Sequence, residues 1–286
     1  MIAPETRHRS VLGYRLGLPG RMRMSVRVLA VSALLALSGC GSHVQTTSGA
    51  TYLQKYAAPP TDNRIDGEVR QAAAVEPTLT FPARIGVARI EHGQLTPIPP
   101  AEAEEWMKLA QRLGPSWGEF VPVSPLVAKL ASSGVGEATA PARPYGYQDA
   151  LERVMRELRL GAGRQHVDVA LIYEVRAKHD TASSALALAD LTVIGAWLVP
   201  SRFVNARAVA TALLVDVRNG YPYGFTDPVS DEKETFRPSM GSDQRGRELA
   251  VDAGTEATKK LIPEVEKLAL KVRAELAERR LAANPR

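Results

Sequence analysis

A single cysteine, Cys40, closes a short apolar run, and this pairing limits the fold more than any other feature of the 286-residue chain. Arg21, Arg23 and Arg27 form a basic patch, residues 28–37 are apolar but for Ser32, and Leu37-Ser38-Gly39-Cys40 follows. A helix that crosses a bilayer needs about twenty apolar residues, so the run is too short to span and suits the core of an export signal. With no second cysteine, neither a disulfide nor a cysteine-held metal can support the exported part, which must rest on a hydrophobic core. A composition of 45% hydrophobic and 23% charged residues is sufficient to build one.

The segment Leu37 to Cys40 resembles the lipobox of bacterial lipoproteins. The resemblance implies that Cys40 takes a diacylglyceryl group on its sulfur and becomes the new N-terminus after cleavage. Met1, Met22 and Met24 all remain candidate starts, and Gly41 in place of Asp after the cysteine implies sorting to the outer membrane. Several acyl chains, at about 0.8 kcal/mol per buried CH₂, hold such a protein without a transmembrane helix. The expected organisation is a signal peptide over 1–39, a lipidated tether over 40–80 and a single α+β periplasmic domain over 81–286. The tether reads as Ser, Thr, Ala, Pro and charge without a sustained period. Tyr52, Leu53 and Tyr56 interrupt it with the spacing of one helical turn, which either docks on the protein's own domain or recruits a partner.

Charge excludes one class of partner. The chain has 36 Lys and Arg against 31 Asp and Glu, but residues 1–39 hold six of the former and one of the latter, leaving thirty of each from position 40 onward. A neutral body without a basic stripe lacks what nucleic-acid binding requires.

Periodicity predicts the elements of the domain. A short strand covers 84–90, and a helix follows in which Trp106, Leu109, Ala110 and Leu113 form the apolar face, with glutamates in its first turn and Gly114 at its end. Residues 120–123 read as an edge strand, because Pro122 cannot donate to a ladder, and 131–144 as a loop. A second helix spans 147–160, with Gly161 read as its stop. Strands are predicted over 167–175, 186–199 and 206–217, the last running into Asn219-Gly220, a strong hairpin signal, and a return strand over 221–226. A helical pattern covers 244–281, with a break or kink expected at Pro263. Together these give an α+β fold: a mixed, largely antiparallel sheet of about five to six strands, two helices and a long Pro-kinked C-terminal helix.

Motifs that could carry chemistry are weak. His92, His166 and His179 have no histidine at metal-ligand spacing, so no metal or other cofactor is expected. Gly161-Ala162-Gly163 follows a helix, whereas a phosphate loop follows a strand and opens a helix. Ser230-Asp231-Glu232-Lys233 matches S-x-x-K but lacks companion motifs. Asp227, Asp231, Glu232 and Glu234 read as charges guarding a sheet edge in preference to a glycosidase pair. Large apolar side chains outside a core period are the candidates for partner binding: Tyr52, Leu53, Tyr56, Trp117, Phe120 and Trp197.

The segment 191–197, Leu-Thr-Val-Ile-Gly-Ala-Trp, followed by 210–220, Ala-Thr-Ala-Leu-Leu-Val-Asp-Val-Arg-Asn-Gly, resembles the paired segments of the rhombotarget lipoproteins. Tyr52-Leu53 with Tyr56 and Pro59, and the strand from Phe81 to Ala88, are also similar, so the likeness spans most of 50–280. Its motifs are structural and imply no catalytic residue. The C-terminus lacks the apolar segment of the family's rhomboid-type processing signal, so that processing is not carried over. More broadly, the Asp216-Val217-x-x-Gly220 turn is similar to periplasmic lipoprotein domains of the curli-secretion, penicillin-binding-protein-activator and Tol-Pal B-protein types, which implies binding and assembly. The expected function is a non-enzymatic binding or assembly factor, held at the outer membrane by acylated Cys40, facing the periplasm and engaging an envelope protein. A subunit of a curli-type secretion channel and an envelope hydrolase are the alternatives.

Overall fold

A computed structural model describes residues 42–55, 64–133, 147–191, 196–197 and 199–283. Cys40 and Tyr56 lie outside them. The elements run β1 (Ser42–Val44), α1 (Gly49–Lys55), α2 (Arg64–Ala73), β2 (Ala83–Glu91), β3 (Gln94–Thr96), α3 (Pro100–Leu113), β4 (Gly118–Pro122), α4 (Pro125–Ser133), α5 (Tyr147–Arg164), β5 (Val169–Ser183), a 3₁₀ segment (Ala185–Leu191), β6 (Pro200–Asp216), β7 (Pro222–Thr226), β8 (Val229–Pro238) and α6 (Ser242–Ala283). The α+β class holds, with eight strands in one mixed sheet where five to six were expected. Its order is β1-β7-β6-β5-β2-β3, with β4 beside β2 and β8 beside β6. Only β2 with β4 and β2 with β5 run parallel.

The sheet is filled from both faces because its central strands, β2 and the first half of β5, carry apolar side chains on both sides, with Arg89 the buried exception. Toward α3 and α6, Ile85, Val87, Leu171 and Tyr173 pack with Trp106, Leu109, Leu261 and Val265. Toward α4 and α5, Ala88, Ile90, Ala170 and Ile172 pack with Ala128, Val154 and Leu158. Arg112 of α3 clamps Glu266 of α6 through Nε and Nη2, at 2.9 and 2.8 Å.

Past Val175 the long strands leave this sandwich. β5 and β6 pair through Ser183 and Arg202, and β8 pairs β6 from Ala210 to Pro200, so the three form a projecting ribbon. The first half of α6 covers one ribbon face, where Val204 and Ala206 meet Leu249 and Ala250. The seam is built of small residues: Ala206, Ala208 and Ala210 on β6, and Ala250, Ala253 and Ala257 on α6, are all buried. Gly246 and Gly254 bring the helix against β5, since a Cβ on Gly246 would stand 2.3 Å from the His179 ring and one on Gly254 would stand 3.2 Å from Val175. On the other face Phe203, Arg207 and Val209 are exposed.

Several expectations are corrected. Of the strand expected over 186–199, the described stretch 186–191 is not a strand: Leu186 N–H donates to Ser184 Oγ and Ala187 N–H to the Ser184 carbonyl, which starts a 3₁₀ turn instead, and 192–195 and 198 lie outside the described residues. Gly161 does not stop its helix. It lies inside α5, where the missing Cβ lets α4 approach, since a Cβ there would be 2.6 Å from both Cα and Cβ of Ala128. Of the break or kink expected at Pro263, a break is excluded, since α6 continues through that residue as one long helix. Pro263 and Lys259, whose carbonyl loses its helical N–H partner, both lie on the exposed side of the helix. Within 40–80, read as a tether, β1 pairs β7 from Ser42 to Val44 and two helices follow. Three strand residues with one apolar contact, Val44, leave too little periodicity to read. Residues 76–79 are pinned as well: Asn219 Nδ2 donates to the Glu76 carbonyl at 2.8 Å, and Leu79 is buried with its N–H on the Tyr223 hydroxyl at 2.8 Å. Asn219-Gly220 does lie in the β6–β7 turn, where Gly220 takes a φ of 79°.

Candidate functional site

A cleft of about 850 Å³ opens between the β2–β3 turn, β5 and the first half of α6. Its floor is a buried ionic network that the register of β2 against α3 assembles. Glu102, in the first turn of α3, accepts hydrogen bonds on one carboxylate oxygen from Arg89 Nε at 3.1 Å and from the Tyr173 hydroxyl at 2.7 Å. Arg89 also donates through Nη1 to Glu91 at 2.6 Å and to Thr96 at 3.2 Å. Burial pushes the Glu102 carboxyl above the usual range, an effect that the Tyr173 and Arg89 hydrogen bonds only partly offset. Burial, reinforced by the Glu102 charge, raises the Tyr173 hydroxyl.

Around this floor the wall is apolar at Val175, Ala177, Ala250 and Val251, while Lys178, His179 and Arg247 stand at the mouth. Lys178 and Arg247 are exposed and make no ion pair with a described residue, so the lining carries one more cation than anions. A floor whose charges are mutually satisfied, bordered by two cations that pair with no described residue, can hold an anionic segment.

A second buried network secures the N-terminal part of the unit. Asp216 Oδ2 accepts from the Tyr223 hydroxyl and from Thr78 Oγ1, both at 2.7 Å, and Oδ1 accepts from the Arg218 N–H at 3.0 Å. Burial alone would raise the Asp216 carboxyl, but these bonds outweigh it and hold the group below the usual aspartate range.

The residues singled out from sequence part company. Tyr52 and Leu53 lie on α1, whose N-terminus Ser48 caps by accepting the Thr51 N–H at 3.1 Å; Tyr52 is exposed and Leu53 half-buried. Trp117 offers no surface. It is 4% exposed, meets Phe81 edge-on at 4.8 Å, and has Arg273 over its ring at 5.1 Å. Phe120 is half-buried against the same core. Trp197, more readily expected in a core, is 61% exposed. Ser230 and Lys233 sit on opposite faces of β8, three residues apart, so the lysine cannot activate the hydroxyl. Of the acidic cluster, Asp227 bonds His43 at 2.9 Å, Asp231 bonds Lys260 at 2.7 Å and Glu232 bonds Arg207 at 2.8 Å. β8 is an edge strand, so these charges flank an open edge. Among the described residues no group of three His, Cys, Asp or Glu could hold a metal ion, and no helix is long and apolar enough to cross a membrane. The cleft itself escaped the sequence reading because Arg89, Glu102 and Tyr173 are scattered over three elements with no spacing in common.

These features define an open α+β sheet domain with helices on both faces. No protein-family model matches the chain and no curated protein matches its sequence, so the rhombotarget resemblance stands on the quoted segments alone. Solved structures similar to it include the C-terminal domain of LpoB from Salmonella enterica, at 14% identity and a TM-score of 0.24, covering 59% of this chain and 90% of that one. A PelC dodecamer from Paraburkholderia phytofirmans is similar at 14% identity and 0.26, covering 66% and 91%. The hypothetical protein CT253 from Chlamydia trachomatis is similar at 11% identity and 0.25, covering 67% and 99%.

Proposed function

We propose that the chain is a non-enzymatic lipoprotein of the bacterial envelope, anchored in the outer membrane through Cys40 and facing the periplasm. Its cleft takes an acidic segment of another envelope protein. The observation that carries the reading is the pair of unpaired cations, Lys178 and Arg247, at the mouth of a cleft whose floor charges already satisfy one another. A partner carboxylate would meet an unopposed cation there without displacing a bond. The lipobox-like segment before the folded unit supports the anchor, and Ser230 and Lys233, on opposite faces of β8, do not form a Ser–Lys pair.

The test uses the lipidated protein in intact cells with a photo-crosslinking residue in place of Val251, on the cleft wall. Capture of one envelope protein, lost in Lys178→Glu with Arg247→Glu, is the expected result. Capture that survives the double charge reversal, or none from Val251 while exposed Leu130 captures the same protein, refutes the cleft. Labelled fatty acid is expected on the wild-type chain and absent from Cys40→Ser; label on that variant refutes the anchor.

A further inference from the structure

Every charge on the cleft floor has a counter-charge, but two of its atoms keep bonding capacity in hand. Arg89 commits Nε to Glu102, at 3.1 Å, and Nη1 to Glu91 and Thr96, at 2.6 and 3.2 Å. Its Nη2 meets no acceptor among the described residues. Glu102 takes both of its hydrogen bonds, from Arg89 and from the Tyr173 hydroxyl, on Oε2, so Oε1 meets no donor among the described residues. Arg89 is 7% and Glu102 2% exposed, so both side chains are withdrawn from water almost entirely. Neither of the two atoms is sealed in the interior, and the cleft is the opening that both residues line. A donor and an acceptor that burial would normally pair thus face the same space.

Three elements hold the pair in this orientation. Tyr173 on β5, fully buried and with its ring 5.0 Å from that of Trp106, grips Oε2 from the core. Arg89 on β2 grips the same oxygen from the strand, while Glu102 itself is fixed in the first turn of α3. The carboxylate cannot turn without breaking both bonds, so Oε1 stays presented. On a guanidinium the Nε–H and one Nη2–H lie along a single edge. Because Nε is bound to Glu102, the spare donor and the spare acceptor stand side by side.

The charge of the floor decides what fits there. Glu91 and Glu102 carry two negative charges against the one positive charge of Arg89, so a carboxylate is repelled at the floor even though the cations at the mouth attract it. A side-chain carboxamide is neutral and carries its C=O and an N–H on one edge, an acceptor for Nη2 beside a donor for Oε1. A backbone peptide group cannot serve both, because its C=O and N–H point in opposite directions across a trans bond. We infer that the Arg89–Glu102 pair is a selectivity subsite that receives the carboxamide of an asparagine or glutamine within the partner's acidic segment. The inference rests on the cleft reading proposed above and adds the residue that the floor selects. A site of this kind discriminates because a side chain of the wrong polarity leaves its buried groups unpaired.

The test uses Gly41–Arg286, which forms one compact unit, at pH 8 to hold Glu102 as the carboxylate. Its probes are three acetylated peptides with two aspartates on either side of a central Gln, Glu or Met. Each ends in a methylamide, so that no other carboxamide is present. Binding is read by isothermal titration and by the Nε–H resonance of Arg89 in isotope-labelled protein. The Gln peptide should bind at least about tenfold more tightly than the other two, which leave Nη2 or Oε1 unmatched. Glu102→Gln keeps an oxygen for Arg89 and Tyr173 but replaces the spare acceptor with an amide donor, so it should reverse the order of the Gln and Glu peptides. A residue that only supported the fold would weaken all three alike. Equal binding of the three peptides overturns the inference, as does a Glu102→Gln variant that keeps the wild-type order. Either result leaves the acidic-segment reading standing if Lys178→Glu with Arg247→Glu still releases the peptides. A Gln preference with an affinity untouched by that charge reversal upholds the subsite and refutes the acidic reading, and binding of no peptide overturns both.

Discussion

Two glycines two residues apart in α5 should respond to the same substitution with opposite signs. Alanine is favoured over glycine in a helix by about 0.5–1 kcal/mol, because it loses less backbone freedom on folding. At Gly163 a Cβ meets nothing within 4 Å, so Gly163→Ala should stabilise the unit by up to about 1 kcal/mol. At Gly161 the new carbon would stand 2.6 Å from both Cα and Cβ of Ala128, and backbone cannot yield as a side-chain tip does. Overpacking of this kind costs about 1–3 kcal/mol, which outweighs the helix gain and leaves Gly161→Ala destabilised by about 1–2 kcal/mol. Urea unfolding of Gly41–Arg286 followed by circular dichroism measures both. Adding Ala128→Gly to Gly161→Ala should recover part of the loss, a coupling of about 0.5 kcal/mol or more that exists only if the two residues touch. A helix that ended at Gly161 would show no such coupling, and a Gly161→Ala variant as stable as wild type would refute the contact.

Arg89→Met should cost about 3–5 kcal/mol at pH 7, because it strands the buried Glu102 carboxylate without its cation. As that carboxyl titrates above the usual range when folded, the loss should shrink as the pH is lowered and Glu102 takes a proton, read from urea midpoints at pH 7 and 5. Asp216 has the opposite sign: its folded carboxyl titrates low, so its contribution is present above the ordinary aspartate range and lost as the pH falls through the folded value. Asp216→Asn should therefore flatten the acid limb of the stability curve. Tyr223→Phe should cost about 1–3 kcal/mol by leaving the buried Leu79 N–H unpaired, and amide exchange at Leu79 should quicken.

Elements that bury one continuous face were legible. α3 announced itself through Trp106, Leu109 and Leu113, and α6 through the stripe from Leu261 to Leu276. The hairpin turn was legible through Asn219-Gly220. β8 was not, because Ser230 to Glu234 is a polar edge strand with no apolar residue to set a period. The outer half of β5 is hidden for the same reason. β1 is held to β7 by backbone bonds, which any residues can make, and by His43, which stacks on Phe225 and bonds Asp227, a pairing no local pattern announces. Trp197 and Trp117 show that position in a pattern does not fix exposure: the first is exposed where a strand was expected to bury it, and Arg273 and Phe81, far away in sequence, enclose the second. The cleft needed Arg89, Glu102 and Tyr173 side by side, which is information about packing that no single segment contains.

α6 gives the unit a mechanical property. Its 42 residues span about 63 Å at 1.5 Å per residue, from the ribbon tip at Ser242 to the far end of the sheet. There Arg279 donates to the Gln45 carbonyl and Arg280 to the Leu79 carbonyl, both at 2.8 Å. The seam that joins this rod to β5 and β6 is mostly alanine and glycine, which have no rotamers to rearrange and so absorb little shear. A force applied at the tip therefore travels along the helix as along a strut and arrives at the residues that secure β1 and the strap before β2. Displacement at one end of the protein becomes strain at the other.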